Sequence, residues 1–244
     1  MGGQGPRPHQ ACAPDRGGAV EPAVGRLQSD GDFTGVLTIN GPGTGNKAIA
    51  LAHCKRVRLD GFTIFKGGHF AVLASEIDGL DITNLAIDTN RDGLDLDCVR
   101  RARIERCRVN TPNDDAIVLK TSLGLGRRAS CEDIEIRDCE VSGFDLGTML
   151  DGTRKRTQEL SPDRDRVTGR IKLGTESNGD FRRIRIANCR FERSRGLALE
   201  TVDGGAIEDV LAENIVMADV TTAPLFLRLG ARLRERVRVH VSGP

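Results

Sequence analysis

The chain has no tryptophan and no tyrosine, and eight phenylalanines are its only large aromatics. Sites for neutral sugars often stack an aromatic ring on the sugar, so this shortage counts against that mode and favours ionic recognition. No apolar run approaches the ~18 residues that a membrane-spanning helix needs. The opening "MGGQGPRPHQACAPDRGGAV" carries no apolar stretch of the kind a secretory signal has and reads as a Gly/Pro-rich lead-in. No two of the seven cysteines form a Cys-x-x-Cys pair, which removes the usual zinc and thioredoxin-like patterns. Their odd number leaves at least one thiol unpaired in any intramolecular scheme. An excess of one charge is missing as well. Lys and Arg number 36 against 35 Asp and Glu, and the net charge of +1 points neither toward nor away from a polyanion. Neither a nucleic acid nor a membrane is expected as a partner.

What the 244 residues do contain is self-similarity. Six segments share one pattern: "CKRVRLDGFTI" (54–64), "IDGLDITNLAI" (77–87), "VRRARIERCRV" (99–109), "CEDIEIRDCEV" (131–141), "FRRIRIANCRF" (181–191) and "IEDVLAENIVM" (207–217). Small or apolar residues recur at the first, fourth, sixth, ninth and eleventh places. The central alternation, as in Ile134 and Ile136 or Ile184 and Ile186, marks a strand with one buried face. Most starts lie 22 to 26 residues apart, with two longer intervals of 32 and 50. Leucine-rich repeats have a similar period, but their leucine skeleton and per-repeat helix are absent. The expected fold is all-β, a right-handed single-stranded parallel β-helix over 46–244, preceded by a lead-in over 1–45. The interval of 50 is expected to hold two coils plus a loop inserted near 152–166, and the chain to stop part-way through a further turn. Cys107, Cys139 and Cys189 share the ninth place with Phe62, Leu85 and Ile215, which predicts a stacked interior column in which free Cys acts as a small apolar side chain.

The acids follow from the register. Asp92 and Asp114 each lie 15 residues after the start of their coil, so equal offset predicts that they stack at the inter-strand spacing of about 4.8 Å. Asp115 is adjacent, and Asp95 and Asp97 follow on the outside of the preceding strand. An unpaired acidic cluster is costly unless it holds a cation or serves acid–base chemistry. On a β-helix two chemistries use such a cluster: calcium-assisted lyase chemistry on a uronate, and glycoside hydrolysis by an acid and a water-activating carboxylate.

At this point the residues resemble a family. "NRDGLD" (90–95) and "NDDAI" (113–117) are similar to the Asn-Thr-Asp and Asp-Asp motifs of family 28 of the glycoside hydrolases, the polygalacturonases and rhamnogalacturonan-cleaving relatives. "IKLGTESNGDFRRIRI" (171–186) resembles its Gly-Ser-Glu-x-x-Gly-Gly block, and "RGLALETVDGGAIEDVLAENIVM" (195–217) the segment with its Arg-Ile-Lys motif. The likeness runs in the family's order over about 46–230. It implies an inverting hydrolase of pectic, galacturonate-containing polysaccharide, monomeric and extracellular or periplasmic, with no cofactor and no metal. By position it implies Asp114 as general acid, Asp92 and Asp115 as holders of the attacking water, and Asn90 as a hydrogen-bonding support. Lys120, Thr168, Arg170, Lys172, Glu176 and Glu200 are the candidate substrate contacts.

Two positions depart from the family pattern. Thr168 stands where the family has a histidine, in Val167-Thr168-Gly169, and Ala198-Leu199-Glu200 stands where it has Arg-Ile-Lys. A literal Arg-Ile-Lys at 170–172 lies in the earlier block; its Arg170 and Lys172 share one strand face and are candidates to supply the lost positive charge. Lys120 is expected on the outer face, against substrate or against the acids. His69 is read as structural. The rival readings are a non-catalytic β-helix that binds acidic glycans and, behind it, a calcium-dependent lyase.

Overall fold

The computed structural model describes residues 26–29, 36–39 and 47–232. The lead-in apart from its two strands, Cys12, and the further turn expected over 233–244 lie outside the described residues. Among the described residues there is no helix, and the strands form three sheets of seven, six and eight strands. The first sheet stacks Lys55–Asp60, Asp78–Thr83, Arg100–Glu105, Cys131–Arg137, Phe181–Ala187 and Ile207–Glu213 in parallel. The second stacks Thr63–Phe65, Ala86–Asp88, Arg108–Asn110, Glu140–Ser142, Arg190–Ser194 and Val216–Val220. The third stacks Lys47–Ala52, Phe70–Ser75, Asp92–Asp97, Ile117–Thr121, Ile171–Ser177, Leu197–Thr201 and Leu225–Leu229. Each coil thus gives one strand to each sheet, the layout of a parallel β-solenoid. Arg26–Ser29 and Val36–Ile39 pair antiparallel with the first strand of the first and third sheets.

The repeat positions set the core. Val57, Leu80, Ala102, Ile134 and Ile184 lie directly opposite one another in register, all buried, and Leu59, Ile82, Ile104, Ile136 and Ile186 form the next column. Each fully buried Leu, Ile or Phe contributes about 1.5–3 kcal/mol relative to exposure. The cysteine column is as expected. Cys107, Cys139 and Cys189 are buried and unpaired, and each thiol bonds a backbone carbonyl, for example Cys139 Sγ to the Arg137 oxygen at 3.2 Å.

Between the first and second sheets every coil turns through one left-handed residue. Gly61, Asn84, Arg106, Asp138, Asn188 and Asn214 occupy this corner with φ between 51° and 71°. Asn, Asp and Gly tolerate that conformation best, which accounts for five of the six residues. The corner side chains also bond from coil to coil, as in Asn188 Nδ2 to Asp138 Oδ1 and Asn214 Nδ2 to Asn188 Oδ1, both 3.1 Å.

The interval of 50 holds one coil, not two. Cys131–Arg137 and Glu140–Ser142 are followed by an excursion over 143–170, and the same coil then closes with Ile171–Ser177. The excursion is tied down by polar anchors on the coils, so its length says nothing about coil number. Buried Asp88 accepts the N–H groups of Gly147 and Met149 at 2.9 and 3.1 Å. Arg195, almost fully buried, bonds Ser161 Oγ at 2.7 Å and Asp163 Oδ1 at 2.9 Å.

Candidate functional site

The third sheet carries the acids, in a register that differs by one residue from the expectation. Leu94 pairs with Ile117, the Gly93 N–H bonds the Asp115 carbonyl at 3.0 Å, and the Asp115 N–H reaches Asp92 Oδ1 at 3.3 Å. Asp92 therefore stacks on Asp115 rather than on Asp114. The cause is one additional residue in the corner over 111–116, between the paired positions Asn110 and Ile117, compared with the corner between Asp88 and Leu94. Equal offsets from the coil start hold for the first two sheets and fail past that corner. Asp114 instead faces Arg91, whose Nη2 lies 2.6 Å from its Oδ2.

Carboxylate oxygens of Asp92, Asp114 and Asp115 all lie within 4.8 Å of one another. The cluster is largely closed to solvent: Asp92 and Asp115 are each only 3% exposed, while the side chain of Asp114 keeps 27%. Nor is the cluster unpaired. Lys120 Nζ lies 3.1 Å from Asp92 Oδ2 and 2.5 Å from Asp95 Oδ2. Arg170 Nε lies 2.6 Å from Asp115 Oδ1, and Lys172 Nζ 3.2 Å from Asp115 Oδ2. Arg170 and Lys172 share the outward face, and Ile171 between them is in the core, as the alternation requires.

These surroundings split the stacked pair. Burial pushes the Asp92 carboxyl well above the usual range, and although Lys120 opposes this, Asp114, Asp115 and Asp95 add to it. Burial alone would raise Asp115 too, but Lys172 and Arg170 outweigh it and hold Asp115 below its ordinary value. Lys120 shows the mirror case: burial would lower it, yet Asp95 and Asp92 raise it. The two members of the pair are thus shifted in opposite directions, Asp92 toward the weaker acid and Asp115 toward the stronger, the usual arrangement of an acid beside a base.

The remaining candidates fall around this centre. Glu200, on Leu197–Thr201, lies 3.6 Å from Arg170 Nη2 and 3.7 Å from Lys172 Nζ. Glu176 sits on a bulge where the pairing shifts from Leu119–Leu173 to Thr121–Ser177, and its charge raises Lys120. Gly174 opens that bulge at φ 94°, and a side chain there would collide with the Glu200 carbonyl, whose oxygen is 2.2 Å from where a Cβ would stand. Thr168 is buried in the excursion; its N–H bonds the Pro112 carbonyl at 2.9 Å, and its carbonyl accepts from the Arg195 N–H at 2.8 Å. Asn90 is exposed and accepts a hydrogen bond from Asn113 Nδ2, and the Asn113 oxygen accepts in turn from Gln158 Nε2 of the excursion.

Four contacts were not expected from the sequence. Arg91, Asn113 and Gln158 have just been placed, and Phe70 carries Lys120 Nζ at 5.3 Å from its ring centroid. Arg91 follows from the corrected register, because both Arg91–Asp114 and Asp92–Asp115 are 23 residues apart. His69 packs edge-on against Phe70 at 4.5 Å. Burial and the nearby Arg91 lower its pKa, and Asp114 acts against them, so the histidine stands beside the acids. No family model, curated protein or solved structure matches the chain.

Proposed function

We propose that the chain is a glycoside hydrolase of the polygalacturonase type, acting on pectic polysaccharide by acid–base chemistry. The observation that carries this reading is the stacked Asp92–Asp115 pair, with opposite proton preferences and a third carboxylate within reach. Asp92 holds the proton given to the leaving oxygen, because it is the carboxyl driven above its usual range. Asp115 is the ionised base that takes a proton from water. Asp114 is the most solvent-accessible of the three, and paired with Arg91 it grips a sugar hydroxyl. The parallel third-sheet strands flanking the centre, two before it and three after among the described residues, supply the groove floor, and the coil is right-handed, the hand that parallel strand crossovers take in nearly all cases.

The anomeric outcome follows from how Asp115 is held. The carboxylates stand closer together than the ~6.5–9.5 Å usual for inverting pairs and nearer the ~5–5.5 Å of retaining ones. Yet both oxygens of Asp115 are engaged, one by Arg170 and the other by Lys172. A carboxylate so held is a poor nucleophile toward a sugar ring and serves as a base toward water. This engagement decides, and inversion is expected. Proton NMR of the first product checks this; net retention excludes the mechanism. Asp92→Asn and Asp115→Asn should each lower reducing-end release by at least ~10²-fold while leaving the fold intact. A folded Asp92→Asn chain with most of its activity would remove the acid assignment.

A second reading, a β-solenoid that binds glycans without cutting them, has one observation in its favour. Each carboxylate of the centre is already neutralised by a cation of the chain itself. Glycan binding by the wild type with no new reducing ends would establish it.

A further inference from the structure

On the outward face of the third sheet, charge alternates along the solenoid axis. Asp115 is followed by Arg170 and Lys172 on the next coil, Glu200 on the one after, and Arg228 beyond, with Arg228 Nη1 at 3.8 Å from Glu200 Oε2. Glu200 is only 4% exposed, so it is built into the face rather than lying across it. Its Oε1 lies within 3.7 Å of both cations that contact Asp115. Arg170 and Lys172 are therefore each flanked by a carboxylate of the chain on both sides. A uronate carboxylate arriving there would meet two like charges already in place, and like charges in a partly dehydrated site strongly disfavour one another.

Lys172 also belongs to a second register row, which carries no charge past it among the described residues. In register with Lys172 stand Val118 on one side and Ala198 then Phe226 on the other. Phe226 keeps 40% of its surface exposed. Val118 and Ala198 are buried, and Phe226 beyond them offers the apolar contact that the carbon face of an uncharged sugar uses. This row supplies, from phenylalanine, what the missing tryptophan and tyrosine would otherwise give.

We propose that the sugar bound against Arg170 and Lys172 is uncharged, because Glu200 already occupies the two cations a uronate would need and Phe226, two coils further along the same row, offers an apolar surface. The proposal rests on the hydrolase reading and narrows its substrate to pectic chains that contain neutral sugar at this position. Glu200 is then a specificity residue that acts by exclusion. Binding of a neutral galactotriose and of trigalacturonate, each titrated calorimetrically into the wild type and into Glu200→Gln, tests it. The wild type should prefer galactotriose at least tenfold, and Glu200→Gln should move the ratio at least tenfold toward trigalacturonate. Trigalacturonate bound by the wild type as tightly as galactotriose overturns the proposal, even if the variant does not fold. So does a folded Glu200→Gln with an unmoved ratio. Since binding is the readout, a chain that shows this preference and yet releases no reducing ends retires the hydrolase and leaves the specificity standing.

Discussion

On the outer face of the first sheet, Arg58, Asp81, Arg103, Glu135 and Arg185 lie opposite one another on successive coils, and Lys55, Asp78, Arg100, Glu132, Arg182 and Glu208 form a second such row. The third sheet alternates too, through Asp115, Arg170 with Lys172, Glu200 and Arg228. The rows differ in their surroundings. Arg103 and Asp81 are each 47% exposed at the side chain, and Arg185 is 51% exposed. Asp115 and Glu200 are nearly hidden from water. Water screens the first set, so each pair is worth about 0–1 kcal/mol and chiefly penalises wrong register. In the third sheet desolvation has been incurred for every ion of the row but Arg228, and removing one buried partner leaves another uncompensated. The same alternation is a tolerant surface in one place and a tightly interdependent cluster in the other.

Lys120→Met should break the contrast most visibly. It strands Asp92 and Asp95, and the loss of unfolding free energy in urea should be about 3–5 kcal/mol. Arg103→Met, on the exposed row, should cost no more than about 1 kcal/mol. Similar losses for the two variants would mean that burial does not separate the sheets.

A smaller effect concerns pH, and the two members of the stacked pair act with opposite sign. Asp115, depressed in the fold, adds stability above the ordinary aspartate value near ~3.9, and that stability is lost as pH falls through its lower folded value. Asp92, raised in the fold, favours the folded state below ~3.9 and loses that contribution as pH rises toward its elevated value. Asp92→Asn should therefore stabilise the chain at about pH 8 relative to wild type, and the advantage should shrink toward about pH 4. Equal differences at both pH values would show that burial does not raise Asp92.

Salt should give the smallest response. At ~1 M salt the screening length falls to about 3 Å, and exposed pairs weaken while buried ones scarcely change. Arg103→Met should then cost almost nothing, whereas the penalty of Lys120→Met should persist. Equal erosion of both penalties would place Lys120 in water.

The solenoid was legible because its signal is apolar. Val57, Leu80, Ala102, Ile134 and Ile184 recur at fixed offsets, and period-two burial leaves no other register for them. The cysteine column followed from the same offsets. Legibility failed where the residues are polar. The additional corner residue over 111–116 leaves no mark on the hydrophobic pattern, so the pattern alone stacks Asp114 on Asp92 in place of Asp115. The long interval misled for a like reason. Phe144, Met149 and Val167 of the excursion are buried, but they follow no strand period, and nothing in the pattern separates such a loop from a second coil. Charged outward positions read as solvated by default, which hid the fact that Lys120, Arg170 and Lys172 are mostly covered and already paired.

Asp88 also imposes an order in time. The N–H groups that it accepts come from Gly147, Met149 and Leu150, about sixty residues further along the chain, and the guanidinium of Arg195 meets the same excursion from its other side. Closing so long a loop gains little until both anchors stand in place. The coils that carry Asp88 and Arg195 must stack first, and the excursion settles onto them afterwards, bringing Gln158 to Asn113 as it does so. Pulse-labelled hydrogen exchange during refolding should therefore protect Leu94 and Leu119 before Met149. The chain completes its scaffold first, and the wall beside its acids arrives last.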